Sequence, residues 1–133
     1  MSPGYLHGIH ILLVEDDPDT LDLLATAMQR SGAATVVAVS TFEAACHAID
    51  CERFDVLVSD IVLDEGRTGL ELARKIIEAG GHRPALVGVS GRGNDADVTA
   101  GLDAGFDAYL VKPVVFSSLL DAIVRAVTAR SRR

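Results

Sequence analysis

The chain has 133 residues, 49% of them hydrophobic and 23% charged, a globular balance that fits one domain with one sizeable core and excludes a disordered chain. Its formal charge of −7 argues against nucleic-acid binding through the domain surface, which needs a net basic face. Apolar runs of only four to six residues exclude a transmembrane helix and a signal peptide, so a cytoplasmic location is expected; Cys46 and Cys51 are too few for a disulfide framework and lack the companion spacing of a zinc site.

A first strand is predicted over Ile9 to Val14, followed by a helix whose Leu21, Leu24, Ala25 and Met28 share one face. Asp17 before Pro18 supplies that helix with an N-cap and a proline at its first position. A second strand, Thr35 to Val39, leads through a Ser40 and Glu43 capping box into a helix carried by Phe42, Ala45, Cys46 and Ile49. A third, Val56 to Val58, precedes the helix of Leu70, Ala73, Ile76 and Ile77. A fourth, Ala85 to Val89, precedes the faintest helical segment, Asp95 to Ala104, where only Val98 and Leu102 are clearly apolar. The last strand, Ala108 to Val111, is followed by a helix built on Phe116, Leu119, Leu120, Ile123, Val124 and Val127.

Gly32, Gly80 and Gly105 each follow a helical run, where a left-handed residue closes the last turn. Most of the strands are nearly continuous in apolar residues, as in a parallel sheet covered on both faces. The pattern is therefore α/β, a (βα)5 chain, and right-handed crossovers fold it into a three-layer, doubly wound parallel sheet with the flavodoxin-like strand order 2-1-3-4-5. Residues 1–8 read as a loose N-terminal lead, 9–130 as the domain and 131–133 as a basic tail. Arg130, Arg132 and Arg133 are read as a solvated helix end that suits the macrodipole.

In such a sheet ligands bind beyond the carboxyl ends of the strands. Those ends carry Glu15, Asp16 and Asp17 on the first strand, Asp60 on the third, Ser90 on the fourth, and Lys112 with Pro113 on the fifth. Carboxylates gathered on one patch repel unless a cation offsets them, and an all-oxygen set suits Mg2+, with Mn2+ as an alternative, better than zinc. A carboxylate with a metal, an ammonium and a hydroxyl nearby is equipment for phosphoryl transfer through an acyl phosphate.

The strings HILLVEDDPDT, FDVLVSDIVL, ALVGVSG and DAYLVKPV, in that order and spacing, resemble the receiver domain of two-component response regulators over about residues 8 to 128. The resemblance implies Asp60 as phosphoacceptor, Asp16 as a direct metal ligand, Glu15 acting through water, and the backbone carbonyl of Val62 as a third protein ligand to Mg2+. It implies Ser90 as the hydroxyl that moves toward the phosphoryl group, Lys112 as its cationic partner, a cis peptide before Pro113, and Tyr109 as the aromatic that swings inward to complete a switch. The implied donor is a phosphohistidine on a histidine kinase or histidine phosphotransfer protein. The implied output face is the fourth helix, fifth strand and fifth helix, read by a partner or by a second copy in a homodimer. Such a domain is a phosphoacceptor with weak autophosphatase activity, not a dedicated enzyme.

The chain departs from the family after Asp60. Asp64 and Thr68 stand where a proline and a glycine are usual, Gly69 comes one place late, and the loop from Leu63 to Thr68 is one residue longer, with Asp64 and Glu65 adding charge beside the metal. Val62, which offers water no side-chain hydrogen bond, and Arg92 stand where the family tunes dephosphorylation, so slow self-dephosphorylation is expected. Simpler readings exist for several residues: Asp17 as a helix cap, Tyr109 as packing, Cys46 as core, Lys75 as a solvated charge, and His7, His10, His47 and His82 as scattered surface groups. Rival functions are an aspartate-nucleophile, Mg2+-dependent phosphohydrolase, which would want an acid where Val62 stands; nucleotide or flavin binding, which would want a glycine-rich turn after the first strand; and a phosphorylation-independent interaction module. The lead Leu6, His7, Gly8, Ile9, His10 also resembles the entry to receivers that follow a histidine kinase, as in hybrid kinases.

Overall fold

A computed structural model describes residues 5–63, 66–91 and 95–131, with backbone only for 95–98 and 131. The elements are β1 (His10–Val14), α1 (Pro18–Arg30), β2 (Thr35–Val39), α2 (Phe42–Cys51), β3 (Val56–Asp60), α3 (Gly69–Ala79), β4 (Ala85–Ser90), α4 (Asp95–Asp103), β5 (Ala108–Val111) and α5 (Phe116–Ser131). The strands form one parallel sheet in the order β2-β1-β3-β4-β5, as expected.

The continuous apolar runs are explained by the pleat, which sends alternate residues to opposite faces. Ile11, Leu13, Val56, Val58, Val87 and Val89 pack with Met28 of α1 and Leu119, Leu120 and Ile123 of α5. Leu12, Val14, Leu57 and Leu86 pack with Phe42 and Ala45 of α2 and Leu72, Ala73 and Ile76 of α3. α4 lies against β5. Register brings the carboxyl ends level: Val14 pairs with Ser59, Asp60 with Val89, and Ser90 with Val111.

The helix caps differ from expectation at two places. α2 is capped by Thr41, whose hydroxyl accepts from the Ala44 N–H at 3.0 Å, and not by Ser40: the helix starts at Phe42, so extended Thr41 is the residue at its mouth. α3 carries a cap not expected above: Thr68, with Glu71 at capping-box spacing, accepts from the Glu71 N–H at 3.1 Å. Asp17 caps α1 ahead of Pro18 as predicted.

The lead is not loose at Leu6. This residue is fully buried in the α1–α5 core, its N–H donates to Ser31 O at 2.8 Å, and His7 bridges to Ala33. Burying one leucine contributes about 1.5–3 kcal/mol, enough to hold a short segment down. Nor is Arg130 solvated. Its guanidinium reaches Asp107 Oδ1 at 2.8 Å and Oδ2 at 3.3 Å, tying the end of α5 to the start of β5. Arg132 and Arg133 lie outside the described residues.

Candidate functional site

Four of the five parallel strands, β1, β3, β4 and β5, end level and deliver the side chains at or just beyond their ends to one patch. Asp60, the last residue of β3, is 8% exposed, and Glu15, the first residue after β1, is 3% exposed. Glu15 keeps strand geometry one step further, its N–H donating to Val39 O at 3.1 Å. Lys112 crosses from the end of β5 and bridges both acids, with Nζ 2.9 Å from Asp60 Oδ2 and 3.1 Å from Glu15 Oε1. Its backbone is held by a 2.7 Å hydrogen bond from its N–H to Ser90 O, and the Lys112–Pro113 peptide is cis. Ser90, at the end of β4, is 1% exposed, while the space around Gly91 after it is open.

Two carboxylates in a largely dry site cannot both ionise cheaply beside one ammonium. Burial, then hydrogen bonding with Asp60 and Asp16 and the Asp60 charge, pushes Glu15 up to about 7; the bond from Lys112 pulls the other way. Burial would lower Lys112, but its bonds to Asp60 and Glu15 and their charges outweigh that and leave it above its usual value. Exposed Asp16 completes the group: carboxylate oxygens of Glu15, Asp16 and Asp60 lie within 4.8 Å of one another. This donor set is all hard oxygen, among the described residues only Lys112 offsets its charge, and Asp16 is open to water, so the residues fit Mg2+ or Mn2+.

Beyond β3 the chain closes on itself. Val62 bridges to Thr68, the Leu63 N–H donates to Arg67 O at 3.0 Å, and Gly66 takes φ +75°. Arg67 stacks 3.9 Å above the Phe42 ring and donates from Nε to Glu71 at 3.0 Å, joining the loop to α2 and α3. Gly69 serves close approach: a Cβ there would stand 2.6 Å from the carbonyl oxygen of Asp60. Asp64, Glu65 and Arg92 lie outside the described residues. The side chain of Val62 is 53% exposed at the edge of the site.

Tyr109 is half-buried in β5, opposite Gly88, and its ring packs on α4. A cavity of about 500 Å3 opens beside Asp60 and Lys112, walled by Leu23 and Leu24 of α1 and by Pro113 and Val114. Three of the histidines bond elsewhere: His10 to Thr35, His47 to Cys51, His82 to Phe54 O. Cys46 is partly buried, which pushes its thiol up and keeps it protonated. Among the described residues no helix is long and apolar enough to cross a membrane.

Comparison with known proteins agrees with this layout. The family model described as the response regulator receiver domain matches residues 11–124. The transcriptional regulatory protein TcrA of Mycobacterium tuberculosis is 37% identical over 130 residues, covering 98% of this chain and 49% of TcrA. The response regulator protein PmrA of Pseudomonas aeruginosa is 39% identical over 123 residues, covering 92% of this chain and 54% of PmrA. The chain thus spans about half the length of these curated relatives. Among solved structures, a CheY-like receiver domain protein from Methanospirillum hungatei superposes with a TM-score of 0.82 at 26% identity, over 94% of this chain and 98% of that one.

Proposed function

The chain belongs to the response regulator receiver family, and from that premise we propose that Asp60 is its phosphoacceptor. The observation that carries the assignment is the double contact of Lys112, 2.9 Å from Asp60 and 3.1 Å from Glu15, at the buried carboxyl end of β3. Receiver domains take their phosphoryl group from histidine kinases and bind Mg2+ at an acidic pocket. Here Glu15, Asp16 and Asp60, with the backbone carbonyl of Val62, are the residues that would hold it. When bound, Mg2+ neutralises phosphoryl oxygens.

An oxygen of the Asp60 carboxylate attacks the phosphorus of a phosphohistidine. The new O–P bond forms as the P–N bond breaks, and the imidazole nitrogen leaves with the electron pair. Lys112, already on Asp60, follows the negative charge onto a phosphoryl oxygen, and the Ser90 hydroxyl donates to another. Drawing Ser90 inward frees the volume into which Tyr109 swings, so the state of Asp60 reaches the face of α4, β5 and α5. That face is read by a partner or by a second copy of the chain. The relatives named above are regulators, one of them transcriptional, so the reading favours a response regulator over a hybrid-kinase receiver. It assigns any contact with DNA to a part of the protein other than this acidic domain.

The test is mass spectrometry of the protein after incubation with acetyl phosphate and Mg2+. Wild type gains one phosphoryl group that hydroxylamine removes, and Asp60→Asn gains none. An adduct that survives hydroxylamine, or the substitution, overturns the assignment. The same time course gives the lifetime, which exposed, apolar Val62 is expected to make long; rapid turnover of the wild type would refute that part.

A further inference from the structure

Gly101 lies inside α4, where glycine is the poorest helix former after proline. Its backbone gives no reason for it. Gly101 is not among the residues with positive φ; Gly105, at +111°, supplies the left-handed turn that ends the helix, and the Phe106 N–H closes that turn on Gly101 O at 3.2 Å. The reason lies across the interface with β5. A Cβ on buried Gly101 would stand 2.6 Å from Cε2 of Tyr109 and 3.6 Å from its Cγ, with Cδ2 nearer still, whereas carbon atoms settle at about 3.5–4.0 Å. The missing side chain is a notch, and the tyrosine ring fills it.

We propose that Gly101 is a positioning residue of the switch: the notch on α4 seats the Tyr109 ring, so the ring and α4 can only move together. This rests on reading Tyr109 as the switch aromatic and adds the element it acts upon. Alanine at position 101 would improve the helix and expel the ring. The two effects oppose each other, and only the second depends on Tyr109.

The chain has two tyrosines and no tryptophan, so fluorotyrosine-labelled protein gives two fluorine resonances, assigned with Tyr5→Phe. In Gly101→Ala the Tyr109 resonance moves and the Tyr5 resonance stays. Thermal unfolding adds a sign: Gly101→Ala lowers Tm by several degrees in the wild-type background and raises it when Tyr109→Ala is already present, where only the better helix former is felt. An unmoved Tyr109 resonance, or a Tm that rises equally in both backgrounds, overturns the notch. Beryllofluoride with Mg2+ separates this from the functional reading. A wild-type Tyr109 resonance that ignores it sinks the switch and leaves the notch standing, and one that responds in wild type but not in Gly101→Ala supports both.

Discussion

The two ends of the sheet hold their acids in opposite ways. At the amino end Asp107 is matched group for group: Arg130 faces it with two N–H donors, the Leu86 N–H adds a third bond at 2.8 Å, and its own N–H donates to Leu86 O at 2.7 Å. Asp55 likewise accepts from the His10 N–H at 2.8 Å, while its own N–H donates to His10 O. At the carboxyl end Glu15, Asp16 and Asp60 crowd together and share Lys112. The first arrangement is closed and serves the fold. Among the described residues the second is left short of positive charge, and on the proposed function it serves an incoming cation and phosphoryl group. Acids thus separate into structural ones, whose acceptor oxygens meet dedicated donors, and chemical ones, which crowd around one shared cation.

The contrast predicts opposite responses to pH and substitution. The largest effect belongs to Glu15, which titrates near 4.5 when unfolded and about 7 in the fold. Because the folded value is the higher, the stability it contributes is complete below pH 4.5 and is lost as pH rises through 7, on the order of 3 kcal/mol. Urea unfolding without Mg2+ should therefore weaken between pH 5 and 8 in wild type and stay flatter in Glu15→Gln. Added Mg2+ should stabilise wild type more at the alkaline end, and a flat wild-type profile would break the contrast. Next is Arg130→Ala, which leaves the Asp107 carboxylate, among the described residues, with the Leu86 N–H alone. The pair is less than one-fifth exposed, so a loss of about 2 kcal/mol is expected, between exposed and buried pairs. Asp60 phosphorylation should persist in whatever remains folded; its abolition would show the two ends are not separate. The smallest is Arg67→Ala, which removes a half-exposed stack on Phe42 and should cost about 0.5–1 kcal/mol by chemical denaturation, with several-fold weaker Mg2+ binding by titration calorimetry.

What the sequence made legible divides along the same line. Glu15, Asp16, Asp60, Ser90 and Lys112 each follow or end an apolar run, so period and order alone bring them together once the strands are parallel. The Asp107–Arg130 pair joins positions 23 apart through the turn of a whole helix, and no local pattern announces it. Leu6 escaped because the short lead is too brief to show a helical or strand period, although the α1–α5 core takes it in completely. The Ser40 cap was misplaced by one residue because Ser40 and Thr41 are both capable, and only the backbone at Thr41 decides between them. Gly101 is mute in the sequence, since its role is the absence of an atom facing a ring on another element.

The strand order also divides the molecule by mobility. β3, buried at every position and paired on both sides, anchors Asp60 among the amides that open only when the whole domain unfolds. β5 is four residues long, partly exposed throughout and paired on one side alone, so Tyr109 sits on a strand whose amides open for much less. On the proposed function, a signal passing from Asp60 to Tyr109 runs from the most buried strand of the sheet to its exposed edge, and needs to be worth only the cost of a local opening there.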